Sequence, residues 1–195
     1  VKIDSNLVEL YSDDVPIGQA YDIVDEHMMG TGNMIIVVNT GESDAIMDPA
    51  VLNAMSRLQS QVKESYSKYI IRTNSLADLV KETHAIMQGD EQYRTIPESQ
   101  ITVSRLLYLF NSANPEERRA LVSDDYSKSH ISIQLKNAGS NEYAEFFEGI
   151  RKDISNEFDT LKDRYPDLDV EITGTFAMMM RLADDLSRNQ FKSLA

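Results

Sequence analysis

None of the 195 residues is a cysteine. That excludes disulfides, thiolate chemistry and any cysteine-ligated metal centre. It leaves the redox compartment open, because an extracytoplasmic domain need not contain disulfides. Long hydrophobic runs are missing as well. The longest unbroken apolar stretch is 34–38, Met-Ile-Ile-Val-Val, far short of the roughly 20 residues that cross a bilayer. No stretch of the sequence reads as a signal peptide, which a chain cut from a longer protein would have lost. Positive charge is scarce: 19 Lys and Arg face 32 Asp and Glu, for a net charge of −13. Such a surface repels nucleic-acid phosphates and anionic membranes alike, so nucleic acid is excluded as a partner. It suits solubility or a saline environment. No heptad, low-complexity tract or flexible linker interrupts the chain.

What is there is patterned. At 42% hydrophobic residues the chain can build a core, and its length fits one domain or one core with a large insertion. Residues 1–10 form a partly extended lead-in. A helix opens near Pro16, with Ile17, Ala20, Tyr21, Val24 and Met28 on one stripe. The run 33–39 is too short for a helix and rich in β-branched residues, so it is expected to be a central strand buried on both sides or nearly so. Asp48-Pro49 pairs a capping side chain with Pro at the first helical position. It starts a helix to about residue 64, and a strand over 69–73 completes the first β-α-β unit.

Character changes over the next fifty-odd residues. Ser75 with Asp78 forms a capping pair for one helix, Gly89-Asp90 breaks it, and two more helices span about 97–110 and 114–122. Over 130–136 the chain alternates, with Ile131, Ile133 and Leu135 on one side, as a half-covered strand does. The longest helix runs from Asn141 to Pro166, and a strand over 169–173 completes a second β-α-β unit. Two such units in series give an α+β fold of the ferredoxin-like, split β-α-β kind, helices on one face of a four-stranded sheet. The expected organisation is a single domain, 1–195. Its core covers about 30–74 and 129–174, a helical insertion about 75–128, and flanks 1–29 and 175–195.

No catalytic constellation emerges. His27, His84 and His130 sit in different segments, none beside a second ligand at metal spacing. The pairs Asp13-Asp14, Asp124-Asp125 and Asp184-Asp185 point to different faces of their elements and read as solvated or capping groups. Gly30-Thr31-Gly32 precedes a strand, whereas a phosphate loop follows one. No Gly-x-Ser-x-Gly elbow occurs. The chain is expected to be no enzyme, with no metal and no cofactor. One cluster stands out: Met178, Met179 and Met180, on a final helix without a stop signal, since methionines adapt to irregular apolar partners. That unstopped helix, and a start at Val1 without Met, lead us to expect a piece of a longer protein.

Several segments together resemble the extracytoplasmic loops of the resistance-nodulation-division (RND) transporters, in the MMPL or predicted RND exporter branch. They are the run 10–16 with Ala20-Tyr21-Asp22; Gly30-x-Gly32-Asn33 before an apolar strand; Asp48-Pro49 with Val51-Leu52; Leu76 to Leu79, Gly89-Asp90, Tyr93 and Ile96-Pro97-Glu98; Val122 with Asp124-Asp125-Tyr126; and Ile172 to Thr175 before a helix ending at 189–193. His27-Met28-Met29 departs from the Phe-Gly ending that the family leads us to expect. The resemblance implies a porter domain on the extracytoplasmic side of the cell membrane, in a gradient-driven exporter of hydrophobic or amphiphilic compounds or lipids. Its partners would be the rest of the same polypeptide (membrane helices and a second extracytoplasmic loop), apolar small molecules or lipids, and further copies in a homo-oligomer. The coupling aspartates of the family lie in membrane helices, so no residue here inherits that role. Candidate walls of the substrate path are Met178, Met179, Met180 and Leu107. Residues 1–4 and 191–195 are expected to be neighbours on one side of the domain. The alternative is a free-standing, acidic ferredoxin-like interaction or ligand-sensing module.

Overall fold

The computed structural model of the chain describes residues 32–136 and 140–174, the side chains of 140–144 excepted. The expected first helix, the final helix with its methionines, the two chain ends, His27 and the pairs Asp13-Asp14 and Asp184-Asp185 lie outside the described residues. Within them the fold is α+β. Four strands, β1 (Gly32–Asn39), β2 (Ile70–Ser75), β3 (Lys128–Leu135) and β4 (Asp169–Thr173), form one sheet in the order β2-β3-β1-β4, with all neighbours antiparallel. The helices are α1 (Pro49–Ser65), α2 (Leu76–Gln88), α3 (Gln100–Ala113), α4 (Pro115–Leu121) and α5 (Ser140–Phe158).

Strand periodicity decides which way the sheet faces the core. Met34, Ile36 and Val38 of β1 alternate inward and are fully buried, as are Ile131, Ile133 and Leu135 of β3. The register sets Met34 opposite Ile133, and Ile36 opposite both Ile131 and Ile172. These side chains join one core with Val51, Leu52, Met55, Leu58 and Val62 of α1 and with Phe146, Ile150, Ile154 and Phe158 of α5. β1 is central, as its apolar run predicts, and its two sides differ: Ile35 and Val37 are half-buried where Met34, Ile36 and Val38 are fully buried. That difference leaves a second, partly open face on the sheet.

α1 and α5 pack on each other through aromatic and polar contacts. Phe146 meets Tyr66 edge-on at 5.1 Å and Tyr69 at 5.4 Å. Buried Asp153 accepts from Gln61 Nε2 at 2.6 Å and from Tyr66 Oη at 3.2 Å. Burial, and then Asp153, push the Tyr66 hydroxyl pKa up. Gly149, in the interior of α5, costs helix stability relative to Ala. Its reason is steric, because a Cβ there would collide with the Tyr66 hydroxyl.

Local signals fix the helix ends. Asp48 caps α1 by accepting from Ala50 N at 2.9 Å, with Pro49 in the first turn. Ser75 and Asp78 close a capping box on α2: Ser75 Oγ accepts from Ala77 N at 3.1 Å, and Asp78 Oδ2 from Ser75 N at 3.1 Å. Gly89 ends α2 at φ 69°, donating to the carbonyl of Ile86 while Asp90 N reaches that of Ala85. α5 stops at Phe158, short of the expected Pro166. The chain tightens into a 3-10 turn at Asp159–Leu161 and then carries Tyr165 back to Asp48.

The helices α2 to α4 form the expected insertion between β2 and β3. α3 begins at Gln100 rather than near Pro97, and it buries Val103, Leu106 and Leu107. Ile101, an apolar residue of the same helix, is 65% exposed.

Candidate functional site

The ionisable groups that looked most like chemistry hold the fold together instead. Buried His84 has Nδ1 at 2.9 Å from the Thr95 carbonyl, so Nδ1–H donates there. Its ring meets Tyr93 edge-on at 5.6 Å. The contact ties α2 to the loop that follows it. Asp124 is exposed and paired with the buried Arg118 guanidinium at 2.5 Å, which lowers its pKa. Asp125 accepts from Ser123 Oγ at 2.6 Å and from Ser127 N and Oγ at 3.1 and 2.8 Å. Those hydrogen bonds, the Ser123 hydroxyl first, bring its carboxyl down to about 2. Asp125 organises the turn into β3.

Among the described residues the most buried carboxylate is Asp48, 3% exposed. Besides capping α1 it accepts from Tyr165 Oη at 2.6 Å and from Arg164 Nη1 at 2.8 Å. Burial, and then Asp48, push the Tyr165 hydroxyl up to about 12. Both carboxylate oxygens are engaged, and no group of three or more His, Asp or Glu among the described residues could hold a metal ion. An Asp with two donors and a helix end is a structural clamp.

The surface that remains is the second face of the sheet. Reading across it, Val37 lies between His130 and Glu171, Ile35 between Ser132 and Thr173, and Asn39 between Lys128 and Asp169. Two concavities open there. One, of about 310 Å³, is polar and is lined by Arg72, Thr73, Asn74, Ser132 and Gln134. Gln134 Oε1 is buried in it without a hydrogen-bond partner. The other, of about 320 Å³, is mainly apolar, with Ile35, Val37, Leu121 and Val122 in its lining and Arg119, Lys128 and His130 as its charged or ionisable residues. Both lie at the small end of the roughly 300–1,000 Å³ typical of small-molecule sites. Burial disfavours the imidazolium of His130 and lowers its pKa below the ordinary value.

The porter-domain resemblance put four residues on the substrate path. Met178, Met179 and Met180 lie outside the described residues. Leu107 is 2% exposed and packs in the core. On the same helix Ile101, at 65%, Tyr108, at 71%, and Leu109, at 46%, are the large apolar side chains that reach the surface. The residues that line the sheet-side concavity were missed. A signal for them existed: β1, β2 and β3 contain no Asp or Glu, in a chain that carries 32. No protein-family model matches the chain, and no curated protein or solved structure matches it either.

Proposed function

We propose that the chain is the extracytoplasmic porter domain of a gradient-driven membrane exporter, of the MMPL or predicted RND branch, that moves hydrophobic or amphiphilic compounds or lipids. We further propose that its fold is ferredoxin-like. Read from the other edge, the strand order is β4-β1-β3-β2, with a long helix after β1 and another after β3 packed together over one face. That arrangement supports a split β-α-β pair whose central connection is enlarged by α2 to α4.

One observation carries the functional part. The sheet's second face is left half-exposed and holds an apolar-walled concavity beside α4, the kind of surface along which an amphiphile can be passed. The domain's work is then to shape a path: apolar side chains replace water around the cargo, and the energy comes from the gradient across membrane helices elsewhere in the polypeptide. No helix among the described residues is long and apolar enough to cross a membrane. Chemistry is not expected of it, and hydrolysis of ester, phosphate or glycoside substrates that depends on a single His or Asp would contradict the proposal.

The deciding experiment is the full open reading frame with a transport assay. We expect hydrophobic spans of about twenty residues flanking this region, and export that falls when Val37→Asp is introduced. A frame without such spans would overturn the proposal. It would favour a free-standing module of the same fold that senses or pairs through the same open face.

A further inference from the structure

The sheet-side concavity has a charge opposite to that of its chain. The protein carries a net −13, yet among the described residues that line this concavity there is no carboxylate. Its ionic residues are Arg119 and Lys128, with His130 beside them. Lys128 is exposed and has no ion-pair partner among the described residues. Arg119 already meets Glu116 at 3.1 Å and, more loosely, Asp124 at 3.8 Å, so Lys128 is the cation most free to receive a ligand. The carboxylates on this face, Asp169 and Glu171, are confined to the outer strand β4, across Asn39 and Val37 from Lys128 and His130. Next to these cations the half-buried Ile35 and Val37 offer an apolar surface. A cationic rim joined to an apolar floor is the complement of a molecule with a negative head and a hydrocarbon tail.

We propose that this concavity binds the monomer of a single-chain fatty carboxylate, its head on Lys128 and its chain along Ile35 and Val37. The acidic remainder of the surface repels such anions elsewhere and so concentrates recognition at this one place. The inference deepens the exporter reading by naming a substrate class, and it rests on that reading for its biological meaning.

Calorimetric titration of the whole 195-residue chain with decanoate, and in parallel with decyltrimethylammonium of equal tail length, tests it. Both are used below micelle formation and at low salt. Decanoate should bind at least about tenfold tighter than the cation, and added salt should weaken it. Lys128→Glu should reduce decanoate affinity by about tenfold or more, and Lys128→Arg should restore it. Melting curves establish that each variant is folded, with Lys128→Gln as the substitute if the charge reversal is not. Equal affinity for the two detergents, no binding of decanoate, or binding unchanged by removal of the Lys128 charge would overturn the proposal. Flanking membrane spans without an anion preference would sink this inference alone. An anion preference in a frame lacking such spans would sink the exporter reading and leave the binding site standing.

Discussion

Removing the carboxylate of Asp48 and the hydroxyl of Tyr165, singly and together, measures how the second β-α-β unit is locked to the first. Asp48→Ala strips α1 of its cap, worth about 0.5–2 kcal/mol. It also strands the Tyr165 hydroxyl, in a residue 6% exposed, at a further cost of about 1–3 kcal/mol. The Arg164 contact at 2.8 Å adds little, because the Arg164 side chain is 60% exposed and returns to water. The single variant should therefore lose about 1.5–5 kcal/mol. Tyr165→Phe removes one hydrogen bond to a charged acceptor and should cost about 1.5–3 kcal/mol. In the Asp48→Ala background the same Phe relieves the stranded hydroxyl and should be neutral or stabilising. The two changes should then couple by at least about 1 kcal/mol, read from urea unfolding followed by far-UV circular dichroism with the slope unchanged. Strict additivity would refute the clamp.

Three further outcomes follow from the same geometry. The Tyr165 hydroxyl is held up at about 12 against an ordinary 10.0, so its contribution is complete below pH 10.0 and is lost as pH rises through about 12. Ultraviolet phenolate titration should show a tyrosine titrating near 12 that Tyr165→Phe abolishes, and early titration of all the tyrosines would contradict this. The Asp125 carboxyl, brought down to about 2 from 3.8, contributes stability present above pH 3.8 and lost as pH falls through about 2. Proton–carbon NMR should place its midpoint near 2, whereas a midpoint at 3.8 would dissolve the turn argument. Finally, Phe146→Ala, at a site 1% exposed between Tyr66, Tyr69 and Phe147, should cost about 3–5 kcal/mol in denaturant unfolding. A loss below about 1 kcal/mol would show that the α1–α5 contact repacks freely.

What the chain determined by itself is local. Asp48-Pro49, the Ser75 and Asp78 pair and Gly89 start and stop their helices through bonds that reach two to five residues along the backbone, so a reader of the sequence can see them. The alternation of Ile131, Ile133 and Leu135 likewise names the buried side of β3 without reference to any partner. The absence of Asp and Glu from β1, β2 and β3 was also legible as composition, although its meaning was not. Tertiary structure decided the rest. Leu107 and Tyr108 are adjacent and both apolar, and only the packing of α3 sends the first into the core and the second to the surface. The open side of β1 exists because both long helices settle on the other side, which an unbroken apolar run cannot foretell. The clamp from Asp48 to Tyr165 joins residues 117 apart in sequence, and the concavity gathers Ile35 and Val37 with Arg119 and Lys128. Such meetings depend on strand order and register, which come from the summed burial of the whole core and are encoded in no single stretch of residues.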